Sequence, residues 1–193
     1  LLRGSRSARR SNAVIVQIMR DAVDSAGLPA DVIQAISADD RLTSTDLMTA
    51  RGLVDLVIPR GGAGLIKTVV EHSTVPVIET GTGNVHVYVD ADADLQMALS
   101  IVMNSKTQRN SVCNAAESLL VHQAVADEFL PQVVAALSDA GVLIHGDERF
   151  AAFAGVEPVT DADYATEFLA AEISARVVDS IDEAIDHVRR FTS

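Results

Sequence analysis

The stretch LVDLVIPRGGAGLIKTVVEHSTVPVIETGTGN, residues 53–84, decides the fold. Leu53 to Ile58 is an apolar run that reads as a strand ending at Pro59. Glycines follow at once, and a helical pattern runs from Gly62 to His72. Val75 to Ile78 is a second apolar run, short enough for a buried strand, and it ends in another glycine-rich turn, Ile78 to Asn84. A strand, a glycine turn, a helix and a strand form the unit from which α/β proteins with mostly parallel sheets are built. Ligands in such folds collect at the carboxyl ends of strands. Glycines let a ligand approach the backbone, and the free amides of a helix start favour anions. The spacing in Pro59–Leu65 is not G-x-G-x-x-G, so a tight strand-to-helix turn is the alternative reading of that loop alone.

The alternation continues outward in both directions. Ser11 to Ala26 carries Val14, Ile15, Ile18, Met19, Ala22 and Val23 at helical spacing, closed by Gly27 and Pro29. Val32 to Ile36 predicts a strand and Ser44 to Arg51 a short helix. Further on, strands are predicted at His86–Val89, Ser118–Val121, Val142–Ile144 and Ile173–Val178. Helices are predicted at Leu95–Thr107, Val125–Leu137 and Ile181–Arg190. The expected boundary is the acidic stretch Asp90 to Leu95, giving domains 1–94 and 95–193. Leu1-Leu2-Arg3-Gly4-Ser5 reads as a strand end entering a helix, and the chain stops directly after a helical pattern. It is therefore expected to be an internal piece of a longer protein.

Composition narrows the function. With 27 acidic and 15 basic residues the formal net charge is -12, the wrong sign for a nucleic-acid partner. No apolar run is long enough to span a membrane. One cysteine makes neither an internal disulfide nor a zinc cluster, and a reducing compartment, the cytoplasm, is expected. His72, His86, His122, His145 and His187 have no paired spacing and read as surface or satisfied core residues, so no metal site is expected. Asp90, Asp92 and Asp94 begin like a calcium loop but lack its glycine and distant glutamate; they read as caps of the following helix. Asp179, Asp182, Glu183 and Asp186 read as the solvated start and face of the last helix.

The single thiol, Cys113, sits in TQRNSVCNAAE, residues 107–117. Structural cysteines hide among apolar side chains, whereas this one is flanked by Lys106, Arg109, Asn110 and Asn114. Cations and backbone amides favour the thiolate, the nucleophilic form. An inert thiol is the alternative.

The segment Ser105 to His122, together with Val57–Ile66 and Pro76–Asp90 in the same order, closely resembles the γ-glutamyl phosphate reductase family, also called glutamate-5-semialdehyde dehydrogenases, within the aldehyde dehydrogenase superfamily. The resemblance covers nearly the whole chain. Asn110 stands where a proline is expected, and Val85 where a cysteine is common. The resemblance implies an aldehyde-dehydrogenase-like fold: part of a Rossmann-type cofactor domain up to residue 94, and part of an α/β catalytic domain after it. It implies NADPH-dependent reduction of the acyl phosphate L-γ-glutamyl phosphate through a cysteine thioester, in proline biosynthesis. Cys113 would be the nucleophile, and Lys106, Arg109 and Asn114 would hold substrate. Arg3, Gly4 and Ser5 would hold the adenosine ribose of NADP(H), Arg60, Gly61 and Gly62 its pyrophosphate, and Glu79 and Gly81 would lie on the cofactor side. A homo-oligomer at full length and a functional association with glutamate 5-kinase are implied too. The alternatives are another acylating aldehyde dehydrogenase relative, or a non-catalytic fragment.

Overall fold

The computed structural model describes residues 1–37, 42–81 and 83–192. It divides the chain into two compact units, Leu1–Thr80 and Gly81–Ser193.

The first unit is helical. Helix α1 spans Arg9–Ser25, a 3₁₀ turn Ala30–Val32, α2 Leu42–Thr49 and α3 Ala63–His72. Helix α1 is amphipathic as predicted, yet it has no buried residue. Its Val14, Ile15 and Ile18 are 59%, 53% and 61% exposed. Arg20 ties α1 to the turn behind it, donating to the Ile33 carbonyl at 2.8 Å and to Asp31 at 2.9 Å. The strands predicted at Val32–Ile36, Leu53–Ile58 and Val75–Ile78 appear only as single bridges, Leu2 to Ala35, Arg51 to Val54 and Val57 to Val77. Strand residues need a ladder on at least one side, and among the described residues these runs find isolated bridges and no ladder.

The second unit carries the core. Its strands are β1 (Val85–Val89), β2 (Ala116–His122), β3 (Leu143–Gly146), β4 (Val156–Pro158) and β5 (Glu172–Val178), in the order β1-β2-β5-β3-β4. All pairs are parallel, with Leu119 beside Val87 and Ala175 as the register in the middle. Parallel strands are covered on both faces and so read as continuous apolar runs; β2 is buried from Ala116 to Val121. Helices α4 (Leu95–Thr107) and α5 (Gln123–Asp139) supply Val102, Phe129, Val133 and Leu137 to the main core, with Leu119, Val121, Ile144 and Ile173 from the sheet. The short α6 (Asp161–Tyr164) and α7 (Ile181–Phe191) complete the unit, and α7 packs Ala184 against Leu120 and Val178 in a smaller second core. The caps are local. Asp94 accepts from Met97 N–H at 3.0 Å to start α4, His122 Nδ1 from Ala124 N–H at 3.1 Å to start α5, and Ser180 from Glu183 N–H at 3.2 Å to start α7.

The α/β class with a parallel sheet is the predicted one. The expected boundary lies after Asp94; the compact units divide at Thr80/Gly81, and β1 pairs along its length with β2 in the second unit's sheet. A strand's place is set by its ladder partner, which an acidic surface turn does not reveal.

Candidate active site

Cys113 lies in the loop between the end of α4 and the start of β2, and it is exposed. Arg109 and Asn114 in the same loop are also exposed. Lys106 is not. It was expected to hold substrate, but its side chain is 0% exposed, as is that of Glu117, and its ammonium lies 2.7 Å from Glu117 Oε2. Buried charges persist only when paired and hydrogen-bonded, and Glu117 supplies that partner. Burial raises the Glu117 carboxyl above its ordinary range, with Lys106 and the Leu169 N–H pulling the other way.

The second glycine turn reaches the cysteine loop within this unit. A Cβ on Gly83 would overlap the carbonyl oxygen of Cys113, and it would stand 2.8 Å from Glu167 Oε1. Only a residue without a side chain lets these backbones meet. Thr82 of that turn lies outside the described residues. Gly83→Ala is expected to cost about 1–3 kcal/mol of stability, since the Cys113 carbonyl is backbone and cannot swing aside as a flexible side chain can. Gly62→Ala, whose Cβ would meet nothing within 4 Å, is expected to stay within about 0.5 kcal/mol of the parent. Urea unfolding of the two variants checks the contrast.

The other expected residues lie in the first unit, with Gly81 opening the second. Arg3 and Gly4 line a cavity of about 430 Å³, with Arg9, Asn12, Ile36 and Ser37 among its other walls. A Cβ on Gly4 would overlap the Asn12 side chain. Ser5 is exposed and its hydroxyl accepts from Ala8 N–H at 3.3 Å. Gly62 caps α3 in an extended conformation with no side-chain cap, so the first amides of that helix point out of the turn. Arg60, Gly61, Glu79 and Gly81 are exposed in their loops. No group of three or more His, Cys, Asp or Glu side chains able to hold a metal occurs among the described residues.

The histidine reading needs correction. His86 on β1 and His187 on α7 are not satisfied core residues: their rings meet edge to face at 5.4 Å, with Tyr164 and Phe191 each 4.7 Å from His187. His86 Nδ1 contacts the Asn84 carbonyl at 2.9 Å, but His86 Nε2 and both nitrogens of His187 are buried without a hydrogen-bond partner. Burial lowers both imidazoles, that of His187 to about 4. The two residues are far apart in the chain, and no local spacing signals their meeting. Asn84 closes the cluster by donating to the Tyr164 and Phe191 carbonyls at 2.7 and 2.8 Å.

Comparison with known proteins places this geometry. The model of the aldehyde dehydrogenase family matches residues 5–168. The chain is 57% identical to a γ-glutamyl phosphate reductase of Thermobifida fusca, over 100% of this chain and 46% of that protein. It is 53% identical to the one of Kineococcus radiotolerans, with the same coverage of both chains. The crystal structure of γ-glutamyl phosphate reductase from Thermotoga maritima superposes with a TM-score of 0.87 at 43% identity, covering 95% of this chain and 45% of that one. The chain thus spans about half the length of the curated relatives it matches. No described helix is long and apolar enough to cross a membrane. A parallel α/β unit with an exposed cysteine between α4 and β2, and a family match across both units, make this chain a member of the aldehyde dehydrogenase family.

Proposed function

We propose that this chain is part of an enzyme that reduces L-γ-glutamyl phosphate to L-glutamate 5-semialdehyde, releasing phosphate, in proline biosynthesis. The observation that carries the proposal is the exposed thiol of Cys113, the chain's only cysteine, on a loop packed against Gly83 and closed by a buried ion pair. The curated relatives at 53% and 57% identity support the substrate class.

The chemistry assigned to this chain's residues is covalent capture. The Cys113 thiolate attacks the acyl carbonyl, the carbon–oxygen bond to phosphate breaks, and phosphate leaves with its electron pair. The resulting thioester is a far better electrophile than a carboxylate. The backbone N–H of Cys113 is assigned to the developing oxyanion. Arg109, exposed on the same loop, holds the phosphate or the substrate carboxylate by charge-assisted hydrogen bonds, and Asn114 assists. The proposed cofactor is NADP(H), which when bound supplies the hydride. The cavity lined by Arg3 and Arg9 suits an anionic nucleotide, and the side-chain-free Gly62 and the open amides ahead of α3 suit close backbone approach. Arg3, Gly4 and Ser5 are assigned to the ribose side, and Arg60, Gly61 and Gly62 to the pyrophosphate. Glu79 and Gly81 complete the set.

The first unit is assigned to cofactor and the second to catalysis. The cytoplasm is the proposed compartment, in keeping with a single free thiol. Self-association at full length and functional association with glutamate 5-kinase belong to the same proposal, since a labile acyl phosphate is best taken up where it is made. The protein, expressed from its complete gene, is assayed in the reverse direction with glutamate 5-semialdehyde, phosphate and NADP. NADPH formation that requires phosphate is expected. A folded protein that forms none, or forms it equally without phosphate, overturns the assignment.

A further inference from the structure

The cysteine loop is closed by a device that the proposed chemistry does not itself use. Lys106 is in the last turn of α4 and Glu117 is the second residue of β2, so their 2.7 Å contact ties the two ends of the segment bearing Cys113. The carboxylate does more than pair. Its second oxygen accepts from the Leu169 N–H at 3.1 Å, and its backbone carbonyl accepts from Ser174 Oγ at 3.2 Å. Leu169 has a φ of 52°, the only positive φ of a non-glycine residue among the described residues. The left-handed region is costly for leucine and persists where the surroundings hold it. Two residues earlier, Glu167 stands with its carboxylate against Gly83, whose Cα abuts the Cys113 carbonyl.

One buried carboxylate therefore connects three segments that meet around the thiol: the end of α4, the start of β2 and the Glu167–Leu169 turn. For stability alone, well-packed apolar residues of similar volume serve as well as or better than a buried ion pair. What a charge-assisted pair adds is direction, because donor and acceptor must stay aligned.

We propose that Lys106 and Glu117 are positioning residues that hold the Cys113 loop and the Glu167–Leu169 turn in register for acyl transfer. This rests on the function proposed above, but its test reads the thiol directly. Cys113 is the only cysteine of this chain, and its alkylation by iodoacetamide, followed on the Cys113 peptide by mass spectrometry, reports the loop without any substrate. Two variants are compared with the parent: Glu117→Gln, which keeps the shape and an acceptor for Leu169, and Lys106→Met with Glu117→Leu, which replaces the pair by apolar side chains. Both are expected to fold by circular dichroism. The double variant is expected to change the alkylation rate at least fivefold and to lower kcat about 10- to 100-fold, with KM for phosphate within about threefold of the parent. Glu117→Gln is expected to fall between the two. A general loss of structure would move KM and unfolding together rather than kcat alone. If the double variant does not fold, Glu117→Gln alone decides. Folded variants with alkylation rates within twofold of the parent overturn the inference. An inactive parent with normal alkylation differences overturns the assigned reaction but leaves the positioning role standing.

Discussion

Cys113→Ala is expected to abolish phosphate-dependent NADPH formation, by a factor on the order of 10⁴ or more, without loss of fold. The size follows from the role: removing a covalent nucleophile leaves only the binding and electrostatic parts of catalysis. The intact fold follows from exposure. The thiol contributes nothing to the packed core, whose members come from β2, β5, α4 and α5, so alanine opens no cavity. Cys113→Ser separates the two halves of the argument. It keeps the shape and a hydrogen-bonding atom, but a hydroxyl ionises far less readily than a thiol, so it too is expected to be nearly inactive. The measurement is initial rate at saturating phosphate and NADP, beside circular dichroism and urea unfolding of the same samples. Alanine turnover within tenfold of the parent would show that the acyl group never passes through Cys113.

Acid should destabilise this protein earlier than its carboxylates alone would dictate. In the folded state His187 takes up a proton only near pH 4, chiefly because its ring is buried, with His86, Arg176 and Arg190 adding repulsion and Asp161 opposing them. Unfolded, the same imidazole titrates near its ordinary value of about 6.5. Between those values the unfolded chain holds more protons, so stability is fully present above about pH 7 and falls as the pH drops toward 4. The full loss from His187 is roughly 3 kcal/mol. His86, shifted in the same direction by burial, adds to the same slope. Replacing His187 by methionine removes two unpartnered buried nitrogens while keeping apolar contact with Tyr164 and Phe191. That variant should be no less stable than the parent near neutral pH and should unfold at higher urea below pH 5.5. An unchanged pH dependence of the urea midpoint would mean that the ring is not buried neutral.

Much of the second unit was legible in the sequence. The helix predicted at Leu95–Thr107 is α4 with the same ends, because an acidic cap, apolar spacing and a polar loop all act over a few residues. Asp94 caps it as the acidic stretch implied. The runs that became β2 and β5 were found within two residues at each end. Strand β4 and helix α6 were missed, since three and four residues carry no period to detect. The first unit was overread. Its apolar runs resemble strands, but a run becomes a strand only when a neighbour supplies the ladder, and single bridges are what they have.

The site divides along the same line. Local chemistry singled out Cys113 and the glycine turns, because a polar setting around a thiol and the lack of a side chain are properties of the residues themselves. Tertiary structure alone buried Lys106 against Glu117, because that partner arrives on another element and a charged side chain is otherwise read as solvated. It alone brought Gly83 against the Cys113 carbonyl and set Glu167 beside them, and it alone joined His86 to His187. The alternation of strands and helices and the polar setting of Cys113 are written in short-range patterns. The partner of each buried charge and each buried ring depends on which strands lie side by side, and only the folded sheet determines that.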